Sequence, residues 1–169
     1  MSDIYSAQKR KEIMSRISSK ETKPEILVRK YLFAKGFRYK KNVKVLPGTP
    51  DIVLPKYKTV IFVNGCFWHG HTCKKGNLPA SNYDFWAKKI EKNKVRDLFN
   101  MESLKKLGWQ VIIIWQCEIN GKKKKESRLI ELVDEIKINK NWKITLNERE
   151  VIPKNGEYLF HSFSSLAQR

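Results

Sequence analysis

Between residues 51 and 73 the sequence gathers most of the side chains equipped for chemistry. Asp51 follows a Pro-Gly-Thr-Pro turn, and Cys66, Phe67, Trp68, His69, His71 and Cys73 fall within eight positions. Those eight hold two of the three histidines and two of the three cysteines of the chain. Cys66, His71 and Cys73, completed by the distant Cys117, make a Cys₃His set. Such donors suit tetrahedral Zn²⁺, and four protein ligands leave no open position, so the expected metal is structural. The alternative is that Cys117 is a small buried hydrophobe and the loop pair accidental. Because all three cysteines enter the set, metal binding is favoured.

Asp51, set by a rigid turn at a strand end, is a donor for a hard cation such as Mg²⁺, which polarises phosphate and offsets the charge that builds during hydrolysis. His69 is left over from the zinc set and free to take a proton from an attacking water near neutral pH. Glu25 could support the same site, although its place in a helix-capping pattern already accounts for it. Phe67 and Trp68 lie on a loop beside glycines, which points to exposed rings able to wedge between bases. Trp86, near a helix start, is ambiguous between wedge and core.

The elements that position these groups follow from pattern. Residues 1 to about 20 mix lysines and arginines with Ile4, Ile13, Met14 and Ile17, a short basic helix that either frays in solvent or acts as a nucleic-acid-binding arm. Thr22, Pro24 and Glu25 spell a capping box for a helix from about 23 to 35, buried through Ile26, Leu27, Tyr31, Leu32 and Ala34 and stopped at Gly36. Residues 51–54 and 59–63 read as two short strands, a hairpin that would bring Asp51 close to Asn64; the second is apolar throughout, as a central strand is.

Ser81 with Asp84 resembles a second capping box. It would open a helix to Leu107 that turns Phe85, Ile90, Leu98, Met101, Leu104 and Leu107 to the core. Trp109 to Trp115 is a strong strand that delivers Cys117. A further amphipathic helix carries Leu129, Ile130, Leu132, Val133 and Ile136, and the tail from Asn141 is a weak hairpin or disordered. This order predicts an α/β domain, a mixed sheet flanked by helices. The organisation expected is a basic helical arm over 1–20, a core with its zinc loop over 21–120, and a C-terminal helix and tail over 121–169 that pack on or extend that core.

The chain of 169 residues carries 35 Lys and Arg against 17 Asp and Glu, a net charge of +18, so its natural partner is a polyanion. No apolar block approaches the roughly 20 residues needed to span a bilayer, and no secretion signal is visible, so a cytoplasmic protein without membrane contact is expected.

On these residues the sequence resembles the very-short-patch mismatch repair endonucleases. The matching pieces are 46–51 (Leu-Pro-Gly-Thr-Pro-Asp), 60–62, 65–73 (Gly-Cys-Phe-Trp-His-Gly-His-Thr-Cys), 85–93 and 108–117, within a resemblance covering roughly residues 6 to 120. It implies a three-layer fold similar to the restriction endonucleases, and Mg²⁺-dependent nicking of one strand of double-stranded DNA at a T:G mispair. Asp51 and the Val63 carbonyl would hold Mg²⁺, His69 would be the base and Glu25 would assist. Cys66, His71, Cys73 and Cys117 would hold Zn²⁺. Phe67, Trp68 and Trp86 would intercalate, Met14 would approach the duplex from the other side, and Lys88 and Lys89 would contact DNA.

The family's founding pattern has threonine then histidine where this chain has Val63 and Asn64. A main-chain carbonyl survives the first change; Asn64 can donate to phosphate but cannot carry a proton at neutral pH. The expected form is a monomer, associated with the nucleoid when bound to DNA, with any repair or methyltransferase partner left open. Rival readings are a restriction-type enzyme on matched duplex, a non-catalytic zinc-structured DNA-binding module, and a basic RNA-associated domain.

Overall fold

In the computed structural model, residues 21–146 are described, with side chains to 138, together with Ser6, Gln8, Lys9 and Glu12. Gln8, Lys9 and Glu12 are helical; Met14 and the rest of the N-terminal arm lie outside the described residues, as does the tail from 147. Helix α1 runs Lys23–Ala34, strand β1 Ile52–Leu54, β2 Thr59–Asn64, helix α2 Tyr83–Lys106, β3 Gln110–Trp115 and helix α3 Lys122–Leu146. The described residues thus form three strands, in the order β1-β2-β3. The sheet is mixed: β1 and β2 are an antiparallel hairpin with Ile52 opposite Ile61, and β2 and β3 are parallel with Asn64 opposite Trp115.

Side chains alternate across the sheet, so each face takes a separate layer. Ile52, Leu54, Ile61, Val63, Ile112 and Ile114 face α1 (Val28, Leu32) and α3 (Leu129, Leu132, Val133, Ile136) in one core. Val53 and Val60 face Leu104 of α2 in a smaller one. Three layers result, with β2, buried at every position but Phe62, at the centre, and α3 is a full partner in the larger core. No helix among the described residues is long and apolar enough to cross a membrane.

Several expectations are corrected. In α1 the buried positions are Glu25, Val28, Arg29 and Leu32, while Ile26, Leu27 and Tyr31 are half-buried and Ala34 is exposed. Thr22 does cap this helix, and Gly36, at φ +85°, does end it. Between 37 and 51 the chain pairs with the sheet only at Lys40, opposite Val53. The expected Ser81–Asp84 box is not formed. Asn82 takes the N-cap place in the left-handed region, φ +52°, where its side chain makes no capping bond, because capping needs an extended cap residue.

Phe85 and Leu98 of α2 and Leu107, just past its end, are exposed rather than in the core, as is Ile130 of α3. Lengths explain α2: 24 helical residues extend about 36 Å, and the six-residue strands beneath them only about 20 Å. The helix overhangs the sheet and buries only Ile90 and Leu104. Residues 141–146, expected as an irregular tail, are the last turns of α3.

Leu104 and Leu98 therefore separate core from overhang on one helix. Leu104→Ala, at a site 0% exposed, is expected to cost about 2–5 kcal/mol in urea unfolding; Leu98→Ala, at 55% exposure, should cost under about 0.5 kcal/mol.

Candidate active site and metal centre

Asp51 stands immediately before β1, and the hairpin register brings it to the end of β2. There the Val63 N–H donates to its Oδ2 at 2.8 Å. Burial raises the Asp51 carboxyl from its ordinary 3.8 to about 6; the Val63 hydrogen bond opposes this, Glu25 adds to it, and the charges of Arg29 and His69 pull it back. Asp51, Glu25 and His69 therefore share one electrostatic neighbourhood.

Glu25 is 3% exposed and serves the cap as expected. Its Oε1 accepts from the Thr22 hydroxyl at 2.7 Å and the Thr22 N–H at 3.4 Å; its Oε2 accepts from the Glu21 N–H and from Arg29 Nη2, both at 3.1 Å. Arg29 was not singled out from the sequence. It is buried, bonds Glu21 through Nη1 at 3.0 Å as well as Glu25, and its charge is felt at Asp51. The Glu25–Arg29 spacing of four on a capped helix was the available signal.

His69 points to a partner that no local motif announces. Its Nδ1 lies 2.5 Å from Oδ2 of Asp97 on α2. Burial favours protonation of Asp97, but the hydrogen bond and charge of His69 together with Arg96 hold it below the usual carboxylate range. An ionised Asp97 only accepts, so His69 Nδ1 is the donor of this bond and Nε2 is the ring nitrogen left facing away from it. His69, Asp97 and Asn64 line one cleft of about 300 Å³ with Arg96, Asn100 and Phe62. Asn64 closes β2 and is 8% exposed. Asp97 could have been found by extending the helix face of Trp86 through positions 90, 93 and 97.

The four residues of the expected metal set come together. One ligand atom from each of Cys66, His71, Cys73 and Cys117 lies within 4.8 Å of the others. Tetrahedral bonds of about 2.3 Å separate thiolates by about 3.8 Å, so the set fits a metal after small adjustment. Parallel pairing makes this convergence: β2 and β3 end side by side, one feeding the loop and the other Cys117. The His71 ring stacks on Trp115 with centroids 4.3 Å apart. Charge points the same way. A hydrogen bond with His71 leads the causes that pull the Cys73 thiol down to about 6, whereas burial and then the other two thiols push Cys117 up to about 12. A bound dication would remove that conflict.

The aromatic rings are half-buried rather than fully exposed. Phe67 meets Trp68 and Trp86 edge-on, both at 5.1 Å, and Trp68 lies 6.0 Å from Trp86. Trp86 thus belongs with the loop rings and not the core. Lys89 Nζ sits 5.7 to 5.9 Å from the centroids of Phe85, Trp86 and Trp68. Lys88, with Lys92 and Arg96, lies on an open face of α2.

Comparison with known proteins places the chain in the class of DNA endonucleases. A family model described as DNA mismatch endonuclease Vsr matches residues 2–75, a span that takes in α1, the β1–β2 hairpin and the loop through Cys73. The chain is 56% identical over 137 residues to the type II nicking enzyme V.NmeAIP of Neisseria meningitidis serogroup A, covering 81% of this chain and 98% of that one. It is 45% identical over 134 residues to V.XorIIP of Xanthomonas oryzae, covering 79% and 98%. It is 37% identical over 124 residues to the DNA mismatch endonuclease Vsr of Escherichia coli, covering 73% and 80%. The chain belongs to the Vsr family. These alignments are longer than the stretch from about 6 to 120 over which the motifs were recognisable.

Because the Asp51 carboxyl is raised, its ionisation opposes folding. The stability associated with its protonated form is complete below about 3.8 and is lost as pH rises through about 6. Without added divalent metal, Asp51→Asn is expected to stabilise the protein at pH 8 by up to about 3 kcal/mol in urea unfolding, and by almost nothing near pH 4.

Proposed function

We propose that this protein nicks one strand of duplex DNA at or near a T:G mispair, acting as a monomer, with Mg²⁺ held at Asp51 and Zn²⁺ held by Cys66, His71, Cys73 and Cys117. The observation that carries the reading is one cleft where the Asp97-held imidazole of His69 and the amide of Asn64 meet, beside the desolvated carboxylate of Asp51.

The residues present fit a hard cation. Asp51 is a carboxylate in a poorly solvated place and would supply the side-chain oxygen, with the Val63 carbonyl as the main-chain donor; Glu25, whose oxygens serve the helix cap and Arg29, would assist by adding negative charge nearby. When bound there, Mg²⁺ supplies Lewis-acid polarisation of the phosphoryl oxygen. His69 takes the proton of the attacking water at Nε2 while Asp97 keeps the ring turned and stabilises the imidazolium. Asn64 donates to a phosphate oxygen and cannot serve as a second proton carrier. The thiolate and imidazole set matches zinc best, with no place left for water or substrate, so its part is to hold the loop.

The net charge of +18 binds the backbone without regard to sequence. Phe67, Trp68 and Trp86 then wedge into the stack, assisted by Lys88 and Lys89 and, across the duplex, by Met14. Opening a base step costs a few kcal/mol, and less at a mispair, so the wedge favours mismatched duplex.

A labelled duplex with a single T:G pair should be nicked in one strand with Mg²⁺, and left whole in EDTA; its fully paired counterpart should be cut far more slowly. Asp51→Ala should lose nicking and keep binding, and metal analysis should find about one zinc per chain. Binding with a steep salt dependence but no nicking by the wild-type protein would refute the reading.

A further inference from the structure

The loop that carries the rings and the imidazole is fastened along a single stripe of α2. Phe67 and Trp68 meet Trp86 ring to ring. Gly70, at φ +61°, backs so closely onto the helix that a Cβ would stand 2.8 Å from Ile90 Cγ2 and run into Lys94. The Asn93 carboxamide donates from Nδ2 to the Trp68 carbonyl at 3.0 Å. His69 Nδ1 meets Asp97. Trp86, Ile90, Asn93 and Asp97 are spaced four, three and four apart, which puts them in one row on the helix surface.

Asn93 holds a particular peptide group. The carbonyl of Trp68 belongs to the unit that joins Trp68 to His69, and a peptide group is planar and stiff. Fixing it fixes the two Cα atoms that flank it, one carrying a wedge ring and the other the imidazole. On the far side of that unit the His69 N–H donates to the Gly65 carbonyl at 3.2 Å, so the peptide is held from both ends.

We propose that Asn93 is a positioning residue that makes ring insertion and alignment of His69 one event. Building on the endonuclease reading above, a mispair that yields to the rings draws His69 into line through this peptide, whereas a paired step that resists the rings leaves it out of line. Without the Asn93 donor the rings retain their chemistry but lose their purchase, and the imbalance appears as lost discrimination together with lost rate.

The experiment compares wild type, Asn93→Ala and Asn93→Asp. The aspartate keeps the size of the side chain and removes the donor. Readouts are kcat and KM for nicking of T:G and matched duplex, the fluorescence rise of 2-aminopurine placed beside the mispair on binding without Mg²⁺, zinc content and thermal stability. Both variants should keep zinc and bind duplex at low salt within about threefold of wild type. Their kcat on T:G should fall roughly tenfold to a hundredfold, with the preference for T:G over matched duplex and the 2-aminopurine signal falling alongside.

A lowered kcat with preference and fluorescence unchanged is the pattern of a smaller folded fraction, and it overturns the proposal. So does a loss of preference without a loss of kcat, or an aspartate variant that behaves as wild type. Should one variant fail to fold, the other is read in the same assays. A wild-type protein that leaves the T:G duplex whole refutes the endonuclease reading instead; the 2-aminopurine comparison needs no cutting, and a signal equal in wild type and variants then overturns the role of Asn93.

Discussion

The parallel pairing of β2 with β3 is the constraint on which the rest of the molecule depends. Antiparallel neighbours can be joined by a tight turn, whereas parallel ones require the chain to return across the sheet before the second strand begins. Here that return is the cluster loop and α2. Asn64 and Trp115 consequently finish at the same edge, Cys117 arrives beside Cys66, and α2 lies over the sheet with its N-terminal half reaching back past the loop. Reversing β3 would send Cys117 to the opposite edge and leave three ligands without a fourth.

The second organising feature is electrostatic. In a protein of +18, the buried Glu25 and the half-buried Asp51 and Asp97 each have a different companion. Glu25 is neutralised by Arg29 and the helix cap, Asp97 by His69 and Arg96, and Asp51 has only one N–H and a share of more distant charge. Three residues of one chemical type thereby acquire three behaviours: a structural anchor, an orienter, and a desolvated anion suited to a cation. Their setting, not their identity, assigns the roles.

Much of this was legible in the sequence because it rests on local signals. The Thr22–Glu25 box, the apolar β2 run, the Asp51 turn and the Cys₃His set all announce themselves by spacing within a few residues, or, for Cys117, by the leftover-cysteine argument. What escaped is tertiary. Asp97 and Asn93 act across 28 and 25 residues on groups of the loop, and although both continue the Trp86 face of the helix, nothing local in the sequence says that the loop lies against that face. Phe85 and Leu98 were placed in the core because helical periodicity says which face a residue occupies and not whether anything stands opposite it. The Ser81–Asp84 pattern failed for a related reason, since a capping motif works only if the backbone before it is extended, and at Asn82 it is not.

The separation of partners also sets how the chain reaches this state. Thr59 meets Gln110 across 51 positions, so the central pairing closes a long loop before any contact repays it, at an entropic cost that grows as about (3/2)RT ln n. Formation of α2 within that loop shortens the distance to be searched, and the β1–β2 hairpin needs no such help. Loop-closure entropy thus favours forming the hairpin and the helices first, as local units, and docking β3 late, which would keep the thiols of the loop and of residue 117 apart until then and would make capture of a metal there a seal on a topology already found.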